Sequence, residues 1–334
     1  MVVYADFEAL VKQTDLEHPT RGHKSFDYET QTPCSVGFKV ISLIPNLEGD
    51  YQSYVGEDCV EWFLQQMFDL QQKAFEIYFD EKRFIRNIYT EMCFRVATSC
   101  HICHKPFLPD NSDKVRDHDH VTGEFRGAAH NKCNLALRRT CRIPIFFHNF
   151  RGYDSHFITK ALNKFGGEEI RVIGQGMEKY LTITLGKHIV FKDSLQFMGA
   201  SLQTLGSNLL KAGFEKFVHL KKEWANTPDD QLRLLVRKGV YPYEYMDSME
   251  KFDDDHLPPK DAFFSKLHNQ DITDEEYAHA QNVWRTFNIR NMREYHDLYL
   301  KSMPSPKPLP SHLFFFPADQ LCLIGNQNDC LVLA

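Results

Sequence analysis

"VVYADFEAL", residues 2–10, reads as a buried strand that closes on two acids. Strand side chains alternate between two faces, so Asp6 and Glu8 stand on the same one, where paired carboxylates can share metal ions. Taken alone, such a pair is more often solvated or ion-paired. "PCSVGFKVISLIP", residues 33–45, alternates like a hairpin partner, so a sheet opens the protein. Val60, Phe63, Leu64, Met67 and Leu70 then recur at spacings of three and four and predict an amphipathic helix from about Glu57 to Arg86. A polar Cys/His-rich segment, Cys93 to Cys141, has no helix-length apolar stripe and reads as a metal-held insert.

Beyond it the sheet resumes. "IPIFFHNF", residues 143–150, predicts a strand, and "DSHFITKALNKFG", residues 154–166, a helix closed by glycine. "EIRVIGQ", "KYLTITLG" and "HIVFKDSLQF" predict strands joined by a tight Gly-Lys turn. An acidic, proline-containing loop over residues 248–276 leads into one helix from Asp274 to about Ser302, capped by Thr273.

The 334 residues, 43% of them hydrophobic, suffice for one large domain or two smaller ones. No run approaches the roughly eighteen apolar residues of a membrane span, and the first residues lack a signal-peptide layout. The expectation is an intracellular protein without a membrane partner, the nucleus being one compartment that fits. Nine cysteines are an odd number without regular spacing, which favours metal binding over a disulfide framework. A net charge of -6 does not advertise nucleic-acid binding, yet "LALRRTCR" and "VRKG" are local basic segments free to meet phosphates.

The insert reads "CHICHKPFLPDNSDKVRDHDHVTGEFRGAAHNKCN", residues 100–134. Cys100 with Cys103 and His130 with Cys133 form two knuckles of the kind that close a structural zinc site, the staple that so small a module needs. Asp117-His118-Asp119-His120 lies between them, and Asn134 follows the last cysteine. This arrangement resembles the His-Me finger (HNH) nucleases, most closely the recombination endonuclease VII type, except that His130 stands where a cysteine is usual. The resemblance implies a hairpin and helix around one divalent ion, with Asp117 and Asn134 as Mg2+ ligands, His118 as general base and His120 orienting or neutralising a neighbour. The plainer alternative is a zinc ribbon that only braces the insert.

"FFHNFRGYDSHF", residues 146–157, offers a third acid, Asp154, at a helix start behind Asn149 and Tyr153. In this order the acids resemble the first and second exonuclease motifs of family B DNA polymerases, specifically the protein-primed type of organelles, viruses and Polinton-like elements. The resemblance runs from about residue 2 to 302. It implies that Asp6, Glu8 and Asp154 hold two Mg2+ or Mn2+ ions about 4 Å apart. It also implies that Ser194 and Leu195 grip a single-stranded primer end, with Asn149, Tyr153 and Phe157 as further strand ligands. "RKGVYPY" resembles the lysine element, putting Lys238 near the scissile phosphate, and "YLKSM" supplies Tyr299 of a Tyr-x3-Asp motif but ends on Met303, a poor Mg2+ ligand.

The expected fold is therefore ribonuclease-H-like α/β with a zinc-stabilised ββα-metal insert: exonuclease segments over 1–92 and 142–302, the finger over 93–141, and an unrelated tail over 303–334. The tail is expected to come from a premature exon end, a frameshift or a mispredicted gene. The expected function is the 3'-5' exonuclease region of a DNA polymerase involved in replication, without its polymerase domain and weakened by Met303. The implied partners are DNA, as a single-stranded 3' end or a branched or duplex form, and a terminal protein primer for the full-length polymerase. The rival expectations are a stand-alone His-Me finger endonuclease of a mobile element and an inactive DNA-binding remnant.

Overall fold

The computed structural model describes residues 1–13, 29–42, 44–80, 83–137, 142–162, 164–165, 169–174, 176, 179–266 and 269–302. Met303 and the rest of the tail lie outside the described residues, as does Cys141. The described chain divides into two compact units, one from Met1–Met67 and the chain from Ile143 to Ser302, the other from Phe68–Arg142.

The first unit is built on a seven-stranded mixed sheet. Its strands are β1 (Val2–Gln13), β2 (Glu29–Ile41), β3 (Gln52–Val55), then, after the β4 (Lys114–His118) and β5 (Phe125–His130) ribbon of the other unit, β6 (Ile143–Phe147), β7 (Ile170–Gly174), β8 (Tyr180–Leu185) and β9 (Ile189–Asp193). They lie in the order β3-β2-β1-β6-β9-β8-β7. β1 is antiparallel to β2 and parallel to β6, and β6 is parallel to β9. The alternation in β1 works as read: Val3, Ala5 and Phe7 are buried on one face. Phe7 lies 5.4 Å from Phe63 and 5.5 Å from Phe147, and Phe63 comes from the amphipathic helix Cys59–Phe79.

The other face carries Tyr4, Asp6 and Glu8. A second core is centred on Tyr241, Phe252, Met292, Tyr295 and Tyr299. Here the single helix expected over 274–302 proves to be two, Asp274–Thr286 and Met292–Ser302. Asn288 between them has φ 52, a left-handed conformation that ends an α-helix and that asparagine tolerates. Thr273 does cap the first of the two, reciprocally with Glu276. The last part of the expected strand "HIVFKDSLQF" is likewise different, a short helix Leu195–Met198.

In the second unit β4 and β5 pair antiparallel, and the helix Asn131–Ala136 follows β5 without a loop. A helix the sequence reading did not contain, Ile88–Val96, starts at a capping box between Asn87 and Thr90. No helix among the described residues is long and apolar enough to cross a membrane.

Candidate functional sites

In the sheet unit, β1 and β6 share register at Tyr4 and Phe146, so Asp6 and Glu8 stand level with the point where β6 ends and the chain turns towards Asp154. Carboxyl ends of neighbouring parallel strands are where open α/β sheets place their sites. Glu8 and Asp154 are buried, at 7% and 3% exposure. Burial pushes the Asp6 carboxyl up to about 7. Burial also pushes Glu8 well above the usual carboxylate range, with the charges of Asp6 and Asp154 adding and Lys238 opposing. Asp154 is raised by burial and then by Asp6. The three acids and Lys238 thus share one electrostatic neighbourhood, though they come from residues 6 to 238.

Asp6, Glu8 and Asp154 offer the hard oxygen donors a divalent cation takes, but among the described residues the group whose ligand atoms converge closely enough to hold an ion is Cys100, Cys103, His130 and Cys133. Asp154 Oδ1 is buried with no hydrogen-bond partner, and an oxygen-rich cluster of buried acids is stable as anions only beside positive charge. Tyr299 is buried at the rim of this cluster, its ring over Gly239, where a Cβ would come within 2.6 Å of Tyr299 Cδ2. Its hydroxyl meets that of Tyr243 at 2.5 Å. Behind Glu8, whose β2 partner is Ser35, the buried His296 bridges Ser35 Oγ (2.7 Å) and Tyr241 Oη (2.6 Å), and burial lowers the imidazole to about 3.

Asn149 takes a left-handed conformation, φ 71, and its backbone N–H donates to Asp193 Oδ1 at 3.0 Å. The same oxygen accepts from Leu195 N at 2.9 Å, while Ser194 Oγ lies 3.1 Å from His148 Nδ1. One buried carboxylate therefore ties together the Asn149 and Ser194–Leu195 segments. Tyr153 meets Phe157 edge-on at 4.9 Å, but Phe157 is only 6% exposed, and its ring lies 6.1 Å from that of Phe7 in the sheet core. Asp193 and His296 were missed by sequence reasoning. The only local signal was that Asp193 precedes the Ser-Leu pair.

These shifts predict a pH dependence. Between 3.8 and about 7 the folded Asp6 keeps a proton that the unfolded chain has lost, so the native state binds more protons and stability falls as pH rises. The contribution is complete below 3.8 and gone above about 7. Thermal unfolding without divalent cations is expected to fall with pH across that window, less steeply in Asp6→Asn. Added Mg2+ should raise the melting temperature most at the alkaline end, where no protons need be displaced.

In the second unit, Cys100 Sγ, Cys103 Sγ, a His130 ring nitrogen and Cys133 Sγ lie within 4.8 Å of one another. His130 ends β5 and Cys133 sits on the helix that follows, which brings both to one side. His130 Nδ1 is 3.3 Å from Cys103 Sγ and 3.7 Å from Cys133 Sγ, while Nε2 is 3.1 Å from the Pro106 carbonyl. A ligand nitrogen facing thiols with the other nitrogen held by a carbonyl is how a metal-binding imidazole is fixed. Burial raises the Cys100 thiol, but backbone N–H groups, including those of His130 and Ile102, outweigh it and bring the group down to about 7. This cluster can hold zinc.

Asp117, His118 and Asn134 lie on β4 and the helix Asn131–Ala136. Asp117 is 1% exposed, and its two oxygens accept from His101 Nε2 (2.8 Å) and Arg126 Nη2 (2.7 Å). His101 packs on Gly127, where a Cβ would fall 2.6 Å from its Cγ, so the glycine after Arg126 is required by the imidazole. A bulge between Asp117 and His118 turns the His118 ring onto His120, stacked at 4.4 Å and 11°, and towards Phe84 at 5.5 Å. Asp119 accepts from Val121 N and Thr122 N and serves the turn. His101 and Arg126 were not in the sequence reading.

The hairpin, the helix that follows it and the Cys/His cluster form one ββα module. Residues 78–155 match the family model described as recombination endonuclease VII. No curated protein and no solved structure matches the chain. None of these comparisons bears out a relationship to DNA polymerases.

Proposed function

We propose that the chain is a metal-dependent DNA endonuclease of the recombination endonuclease VII type, acting through residues 78–155. The observation that carries this is the ribbon–helix module, with the family match over it and His118 at the bulge next to a carboxylate fixed by His101 and Arg126. Asp117 is oriented by His101 and Arg126, and each oxygen keeps a lone pair for a cation; Asn134 would be the second ligand. When bound, Mg2+ or Mn2+ supplies positive charge to the phosphate oxygens. His118 takes a proton from the attacking water, and the bond from phosphorus to the leaving oxygen breaks. The stand-alone endonuclease reading is thus preferred, and nicking of duplex or branched DNA that requires His118 is its test.

A second reading has its own observation: the charges of Asp6, Asp154 and Lys238 act on the buried Glu8, and that of Asp6 on the buried Asp154. The sheet unit would then be a ribonuclease-H-like 3'-5' exonuclease divided by the insert, supported by parallel pairing of β1, β6 and β9. Derivation from a protein-primed DNA polymerase, with a terminal protein as partner of the full-length form, rests on motif resemblance. In this reading Met303 in place of a fourth carboxylate leaves weak activity. The double replacement Met303→Asp with Pro304→Ala is expected to raise trimming of single-stranded 3' ends at least tenfold, by estimates in which misplaced reacting groups cost about a hundredfold. An unchanged rate would remove Met303 as the defect.

A further inference from the structure

We propose that Phe197 is the stacking platform for a base of single-stranded DNA entering the sheet-unit site, a role that rests on the exonuclease reading of that unit. Sequence reasoning put forward Phe157 as an aromatic strand ligand, yet Phe157 is committed to the core. Phe197, three residues beyond Ser194, is instead 64% exposed. Large exposed aromatics are costly to leave in water, and this one sits on a fixed support rather than a loose loop. Asp193 Oδ1 holds Leu195 N at 2.9 Å, Phe197 N and Met198 N both donate to Ser194 O at 3.1 Å, and Gly199, φ 60, closes the turn through Leu195 O at 2.8 Å.

The ring also leads somewhere. Phe197 meets Phe146 edge-on, with centroids 6.2 Å apart at 81°, and Phe146 stacks on Tyr4 at 5.9 Å and 27°. Tyr4 is two residues before Asp6 on the same strand, so it shares the face that carries Asp6 and Glu8. An aromatic lane therefore runs from the exposed Phe197 ring to the acidic cluster. Stacking on such a lane accepts any base, which suits a site that must take whatever nucleotide stands at a 3' end.

The test measures binding of labelled oligo(dT) to the zinc-loaded protein with Mg2+ and Mn2+ left out and no chelator added, so that no cleavage intervenes, together with trimming kinetics in Mg2+ or Mn2+. Phe197→Ala and Phe197→Leu are expected to weaken oligo(dT) binding about tenfold and to raise KM without lowering kcat. Leucine keeps the apolar bulk but lacks a π-face, so its loss separates stacking from folding. Phe197→Trp is expected to restore affinity and to show fluorescence quenching by oligo(dT) beyond that of the unmodified protein. Unchanged affinity in Phe197→Leu, with Asp6-dependent trimming intact, would overturn the stacking role and leave the exonuclease reading standing. An unmodified protein that neither binds oligo(dT) nor trims it would overturn both.

Discussion

His118→Ala is expected to lower nicking of duplex or branched DNA by about 10²–10⁴-fold, the usual contribution of a positioned general base. Trimming of single-stranded 3' ends should be unaffected. The reverse separation is expected of Asp6→Ala, which removes one of three acids that share a neighbourhood and should abolish trimming while sparing nicking. The two activities draw on distinct residue sets. His118 stacks on His120 and faces Phe84, whereas Asp6 acts electrically on Glu8 and Asp154. Asp117→Asn should reduce nicking too, because a neutral amide is a weaker cation ligand and leaves the Arg126 charge unanswered. Nicking that survives in His118→Ala and disappears in Asp6→Ala would mean that the sheet unit, and not the hairpin module, makes the cut.

How much of this was legible depended on how far apart the cooperating residues lie. The knuckles Cys100–Cys103 and His130–Cys133 were readable because ligand spacing is local chemistry. Asp6 and Glu8 were readable because period two alone puts them on one face. The buried role of Asp193 was not, since its donors sit at 149 and 151 and reach it only once β6 and β9 pair. His296 reads as an ordinary polar position on an amphipathic helix, yet its partner Ser35 is 261 residues away. Phe157 and Phe197 both follow plausible strand-binding text, and only packing decides that one faces the core while the other faces solvent.

The helices failed for different physical reasons. Apolar spacing continues through Ile289, Met292, Tyr295 and Tyr299, so periodicity could not reveal the break that Asn288 makes by adopting positive φ. The helix Ile88–Val96 hides its character in the opposite way, because Ile88, Tyr89, Met92 and Val96 are all exposed. Its only clear sequence signal was the pairing of Asn87 with Thr90 as a cap.

Removal of zinc is the other large effect. The buried apolar side chains of the second unit, among the described residues, are Ala74, Cys100, Ala128 and Ala129, whereas the large buried phenylalanines all belong to the sheet unit. Alanines bury too little apolar surface to offset the entropy of ordering a hairpin and two short helices. A zinc ion held by the four ligands, with an apparent binding free energy of about 10–16 kcal/mol at neutral pH, would supply the difference. Chelation is therefore expected to unfold the hairpin module, to expose it to protease between residues 93 and 141, and to abolish nicking. The core around Phe7, Phe63 and Phe147 does not depend on that metal and should retain its own unfolding transition. Cys100→Ser should match chelation most closely, because this thiol is fully buried and accepts the His130 and Ile102 N–H groups. His130→Cys should be mild by contrast, since the smaller ligand still faces Cys103 and Cys133 across the same gap and thiolate serves zinc as well as imidazole does. Elemental analysis of each variant, read beside limited proteolysis, separates the outcomes: protein stripped of zinc that keeps a protease-resistant hairpin would show that the four residues do not hold the module together.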